Sequence, residues 1–317
     1  MNSVPAVHGI HHVTAIAGEP QENLSFYVGD LGMRLVKRSV NQDDPGTYHL
    51  FYADAAGTPG TDVTFFPWTR LAPSRRGAGM VGEIALAIPA GSLDWWRKRL
   101  EERKVAGTEE ESRFGERALP FHDTHGLPLA LVEIEDDRDF AVWEGSPVPP
   151  EHQIRGVHAV RIQERVLAPT VTLLEGVMGF RRVGEDGVWQ RWAAGRGSGA
   201  LVDLQEAPEA PVGRWGTGAV HHVAWRVTDD EEHRAVRAAV EATGLQPTPV
   251  IDRFWFRSVY FKEPGGTLFE LATDGPGFDR DEEPERLGEA LILPPWLEPH
   301  RAAIESALPP LEMPALR

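Results

Sequence analysis

Four stretches of this 317-residue chain open in the same way, and that repetition constrains the fold more than any single motif. GIHHVTAIA begins at Gly9, GEIALAIPA at Gly82, GVHAVRIQE at Gly156 and AVHHVAWRV at Ala219, at intervals of 73, 74 and 63 residues. Each alternates as a half-buried strand does. A stretch with helical spacing follows each one: PQENLSFYVGDLGM, SLDWWRKRLEERKV, TVTLLEGVMGF and EEHRAVRAAVEATGL. Gly32, Gly179 and Gly244 suit the left-handed turn that ends a helix, and Ser92 suits an N-cap. Short strands rich in apolar and aromatic residues come next. The last two are joined by an acidic, glycine-containing turn, so that Asp123 falls where Glu263 falls and Gly126 where Gly266 falls.

The unit is therefore a βαβββ module. One module cannot bury its own sheet, so modules must pair. We expect an α+β fold: four modules forming two curved, half-open mixed sheets of about eight strands, with helices outside and the concave faces left for a small ligand. In chain order, residues 1–138 hold modules 1 and 2, and residues 154–275 hold modules 3 and 4. The acidic, proline-rich 139–153 reads as a linker, and 276–317 as a tail with one short helix. Trp296 and the tail leucines predict that this tail packs across the body.

Composition narrows the chemistry. The formal net charge of −16 offers no electrostatic footprint for nucleic acid or an anionic membrane surface. No apolar run reaches the ~20 residues of a membrane span, and MNSVPAVHGI lacks the layout of a secretory signal, so we expect a cytoplasmic protein. Cysteine is absent, which excludes disulfides, thiolate catalysis, zinc-thiolate sites and iron–sulfur clusters. A metal would have to be held by imidazole and carboxylate.

Those groups occur in a pattern. Modules 1 and 4 carry a histidine doublet at the same place in their first strand, His11-His12 and His221-His222. Strict alternation would turn His12 and His222 to the cup, and His11 and His221 to the helix side. Modules 2 and 3 serve as internal controls. They show Ile84 and Ala159 at the ligand position, with His158 read as structural, so a site must be shared by modules 1 and 4. GGTLFELAT adds Glu270 between Phe269 and Leu271. A carboxylate buried there without a partner would cost several kcal/mol. One divalent metal on His12, His222 and Glu270 satisfies all three groups, and a two-histidine, one-carboxylate face leaves positions open for substrate and O2, as in non-heme Fe(II) oxygenases. Tyr260, ten residues before Glu270 in the preceding strand, could hydrogen-bond a bound substrate, and Arg253 could hold an anionic oxygen.

With these residues in place the chain resembles the vicinal-oxygen-chelate superfamily of glyoxalases, bleomycin-resistance proteins and extradiol dioxygenases. Within it, the closer likeness is to the subgroup of dioxygenases that cleave hydroquinone rings. GIHHVTAIAGEPQENLSFYVGDLGMRLVKRSV, YHLFYADAAGTPGT, FHDTHGLPLALVE, VHHVAW and RSVYFKEPGGTLFELAT carry the resemblance over nearly the whole length. It implies Fe(II) on His12, His222 and Glu270, with Mn(II) the alternative for the same donors, and a small dihydroxylated aromatic substrate cleaved with O2. It also implies active-site places for His11, His221, Tyr260 and Arg253, with His221 and Tyr260 the candidates for proton handling. The superfamily often associates, so a homo-oligomer is a further expectation.

Two rival readings stay open. A glyoxalase-type isomerase, expected to hold zinc or nickel, would need a fourth protein ligand. Alignment of the turns puts Thr64 opposite Glu270, with Asp62 two residues away. A metal-free drug-binding protein would need neither the doublets nor the buried carboxylate.

Overall fold

A computed structural model describes residues 6–107, 109–135 and 138–313. The first five residues, read above as part of a stretch without a secretory signal, lie outside the described residues, as does the end of the tail from 314. The fold is α+β, built on two eight-stranded curved mixed sheets.

The first sheet runs, in spatial order, Ile251–Asp252, Arg257–Lys262, Leu268–Thr273, Val220–Val227, Ile10–Ala17, Asp62–Pro67, Asp44–Ala53 and Arg34–Asn41. It unites module 4 with module 1 through antiparallel pairing of their opening strands. The second unites modules 3 and 2 in the same way, with Gly156–Glu164 against Met80–Pro89 at its centre. Each sheet therefore takes one module from either side of residues 139–153, and a division of the chain there cuts across both. In each sheet the open edge of one module's first strand is covered by the first strand of the other module, so neither edge is left unpaired.

The modules build as their patterns dictate. Asp230–Ala242 is capped by Asp229, which accepts from the amides of Glu231 and Glu232. It buries His233, Val236 and Val240, one turn or two apart, against the sheet. Gly32, Gly179 and Gly244 all take positive φ after their helices. Ser92 departs from expectation. Its hydroxyl turns to the Glu151 carbonyl and to His152 instead of capping, while the Glu133 carboxylate accepts from the Leu93 amide of the first turn. The twin turns agree closely. Asp123 accepts from the amides of His125 and Leu127, and Glu263 from those of Gly265 and Thr267.

The tail lies across the first sheet, as its apolar residues require. Phe278, Leu287, Leu293 and Ile304 are buried, and Arg301–Ala307 is its helix; Trp296 remains 46% exposed. Lys37, fully buried, is the anchor. Its ammonium donates to the Phe278 carbonyl at 3.0 Å and pairs with Asp281 at 2.8 Å and with Glu282. No helix among the described residues is long and apolar enough to cross a membrane.

Candidate metal centre

The histidine doublets sit on two facing β-bulges. Ile10 pairs with Trp225 but His12 with Ala224, and Thr14 pairs with His222 but Ala15 with Val220. Each strand thus carries one extra residue where its doublet lies. Ile10 and Val13 both belong to the core beneath the sheet, as do Val220 and Val223, three positions apart instead of two. Both members of each doublet consequently turn to the cup. The rings of His11 and His12 each lie 5.3 Å from Phe256, inside it. This corrects the expectation that alternation separates the pair. The second module is corrected too. Glu83, in register with Arg161 as His12 is with Ala224, stands at the ligand position, while Ile84 points into the main core.

His12, His222 and Glu270 converge, all buried. Nε2 of His222 lies 2.8 Å and Nε2 of His12 3.3 Å from Oε2 of Glu270, and the two nitrogens are 3.3 Å apart. Ligands at right angles on bonds of about 2.1 Å stand about 3.0 Å apart, so these spacings fit one face of a metal's coordination shell. Ser258 donates to Oε1 at 2.5 Å, yet Oε2 accepts no hydrogen bond. A fully buried carboxylate oxygen aimed at two ring nitrogens without a donated proton is an acceptor waiting for a cation. Burial pushes this carboxyl upward, but the imidazoles of His12 and His222 hold it well below the usual range.

The second cup shows what the fold does with the same carboxylate when no histidine stands at either ligand position. Asp203 pairs in register with Arg161 as Glu270 pairs with Ala224, two residues past the ligand position. Asp203 is neutralised by guanidinium: Arg191 reaches it with Nε at 2.7 Å and Nη2 at 3.1 Å, and Arg161 stands at 3.5 Å. Glu270 has no arginine against it, and two imidazoles stand in that role. His158, in this second cup, is engaged at both nitrogens by Ser198 and Glu116.

Each histidine of the triad is held by its neighbour. Nδ1 of His12 lies 2.9 Å from Nδ1 of His11, and Nδ1 of His222 lies 2.8 Å from Nδ1 of His221. If the ligand nitrogens are Nε2, each Nδ1–H must be donated, and His11 and His221 must be neutral to accept it. Burial pushes both down to about 3, so at neutral pH they are. Aromatic rings of Trp215, Phe66 and Trp68 surround His221, Trp215 stacking at 4.4 Å.

Tyr260 is the cross-strand partner of Glu270, its ring 5.5 Å from that of His222. Burial pushes its phenol up, so it is a proton donor at neutral pH. Arg253 stacks over that ring at 5.6 Å. All four of Tyr260, Arg253, His12 and His222 line one cavity, with Phe51, Phe66, Trp255 and Phe256. Two contributors were missed from sequence. Ser258 shares a face with Tyr260, and His49 shares one with Phe51; alternation within those strands was the available signal. His49 also joins Thr64 to Thr14: its Nε2 lies 2.9 Å from the Thr64 hydroxyl, which lies 2.7 Å from that of Thr14. Thr64 pairs with Thr14 as Glu270 pairs with Ala224, so a hydroxyl stands where a fourth carboxylate ligand would. Asp62 is buried on the same strand but does not join the triad.

Two paired-module cups, one with convergent imidazole and carboxylate, define a vicinal-oxygen-chelate architecture, and this chain belongs to the glyoxalase/bleomycin resistance protein/dioxygenase superfamily, which it matches over residues 9–131 and 156–271. Among its relatives, the Bacillus subtilis protein MhqO, named as a ring-cleaving dioxygenase, is 45% identical over 96% of this chain and 97% of its own. The chlorohydroquinone/hydroquinone 1,2-dioxygenase of Sphingobium indicum is 35% identical over 92% and 93%. A crystal structure of a Bacillus subtilis protein named as a dioxygenase superposes with a TM-score of 0.93 at 43% identity, covering 98% and 99% of the two chains. Glyoxalase I from Zea mays shares the fold, with a TM-score of 0.62 at 17% identity over 84% and 92%.

Proposed function

We propose that this protein is an Fe(II)-dependent ring-cleaving dioxygenase acting on a hydroquinone-like dihydroxylated aromatic. The observation that carries the reading is the orphaned Oε2 of Glu270, facing two imidazole nitrogens with Thr64 at the fourth-ligand position. In an octahedral shell three protein donors leave three places, room for O2 beside a phenolate, where a fourth protein ligand would leave only two. The relatives' names point the same way.

His12, His222 and Glu270 would hold the metal. When bound, divalent iron would supply the electron transfer that lets dioxygen react with the ring. His11 and His221 accept from the imidazoles of His12 and His222 and fix their tautomer and angle, which would leave both Nε2 lone pairs available to a metal. That role replaces proton transfer for His221: an imidazole that must stay neutral to accept is poorly placed to donate. Tyr260 is the group that holds a proton over the cavity, within reach of a substrate oxygen on the His222 side. The rings of Phe51, Phe66, Trp255 and Phe256 exclude water and favour a flat aromatic guest.

Reconstitution with Fe(II) under anaerobic conditions, then oxygen uptake on adding substituted hydroquinones and catechols, tests the proposal. His12→Ala is expected to lose iron and turnover together, whereas His158→Ala keeps the iron. Equal iron retention by the two variants would overturn the ligand assignment.

A further inference from the structure

The cavity beside the triad has a charge balance that selects among dihydroxylated rings. Glu270 carries one negative charge, and a divalent ion leaves the centre with one net positive charge, enough for one phenolate. Among the described residues lining the cavity, Arg253 is the other cation. It is already matched. Its Nη2 lies 2.8 Å from Oδ2 of Asp43, the one carboxylate in the same lining.

This pairing is constructed across two modules. Asp43 stands at the tip of the hairpin joining Arg34–Asn41 to Asp44–Ala53 in module 1, where its amide donates to the Asn41 side chain at 2.9 Å. Gln42, from the same tip, donates to the Arg253 backbone carbonyl of module 4 at 2.9 Å. The hairpin thus grips Arg253 twice, once through its carbonyl and once through its guanidinium. Asp43 is 74% exposed and Arg253 only 15%, so the arginine points inward while its counterion stands at the mouth. An incoming carboxylate must displace a counterion tethered at high effective concentration, and it gains no new charge neutralisation in doing so.

We propose that Asp43 is a specificity-determining residue: by neutralising Arg253 it restricts the site to dihydroxybenzenes with uncharged ring substituents and turns away ring carboxylates. This inference rests on the hydroquinone reading and narrows it. Asp43 acts by denying a partner to the wrong ligand, as specificity by exclusion does.

The test compares anaerobic dissociation constants of Fe(II)-loaded protein for chlorohydroquinone and for 2,5-dihydroxybenzoate, which differ chiefly in the ring carboxylate. The wild type is expected to prefer chlorohydroquinone. Asp43→Asn frees Arg253 to take the carboxylate, and the ratio of the two constants should move toward the acid by at least about tenfold, the scale of one charge-assisted hydrogen bond. Asp43→Glu, which keeps the charge, should keep the wild-type preference. A wild type without that preference, or a ratio that moves less than about tenfold in Asp43→Asn, overturns the proposal. Iron retention and chlorohydroquinone binding are read first in the same titrations. Their joint absence overturns the hydroquinone reading itself, and with it this inference.

Discussion

Glu270 and Asp203 hold equivalent places in the two cups, so one substitution in each tests the first as the proposed metal ligand and the second as a structural carboxylate. Glu270→Gln keeps the oxygen that accepts from Ser258 and removes only the charge facing His12 and His222. The metal-free variant should therefore melt within about 1 kcal/mol of the metal-free parent. The difference appears on adding metal. At a hundredfold excess over its dissociation constant, a ligand binding only the folded state contributes about 2.7 kcal/mol. At roughly 2 °C per kcal/mol for a chain of this length, that is a rise of about 5 °C for the parent. Glu270→Gln should show almost none of it. Asp203→Asn behaves in the opposite way. It takes from the Arg191 and Arg161 guanidinia the carboxylate both approach, though Arg191 keeps Glu116, a loss of about 1.5–3 kcal/mol on the scale of hydrogen bonds to charged groups, while the metal-dependent rise survives. Thermal melts of the three proteins, with and without Fe(II) or Mn(II), give all six values. A Glu270→Gln protein that still gains several degrees with metal would refute the reasoning, as would an Asp203→Asn protein that loses that gain while folded.

Other consequences are separable. Burial holds the folded-state values of His11 and His221 at about 3, below the ordinary unfolded value of about 6.5, so the unfolded chain binds more protons between those limits. Stability of the metal-free protein is then complete above about pH 6.5 and lost as pH falls through that window, by roughly 2 kcal/mol per imidazole at pH 5. Denaturant melts at pH 7.5 and pH 5 check this, and equal stabilities would contradict it. Thr64→Glu places a carboxylate at the position equivalent to Glu270. It should retain metal by dialysis but lose oxygen uptake at least about tenfold, because a filled position cannot take a diatomic guest; undiminished uptake would show that this position does not face the metal.

Much of the fold and part of the site were legible in the residues. Fourfold periodicity is a local property repeated along the chain, so it appears without coordinates. The same holds for His12, His222 and Glu270: a doublet occurring in modules 1 and 4 but not 2 and 3, and an acid in an apolar strand, are anomalies against a repeating background. His11 and His221 were recognised as neighbours but assigned to the wrong face, because a β-bulge depends on how a partner strand pairs and leaves no residue signature of its own. His49 and Ser258 were missed because each is an ordinary polar residue in an alternating strand until another strand brings it to Thr64 or Glu270.

The amino-acid order alone determined which groups this protein could bring to a metal and that no thiolate is among them, since side-chain chemistry and repeat spacing do not depend on folding. Which modules share a sheet, which face each histidine presents, and the matching of Arg253 by Asp43 from another module were decided only in three dimensions. Those are relations between strands far apart in the chain, and edge pairing, bulge register and charge proximity acquire values only once the strands have met.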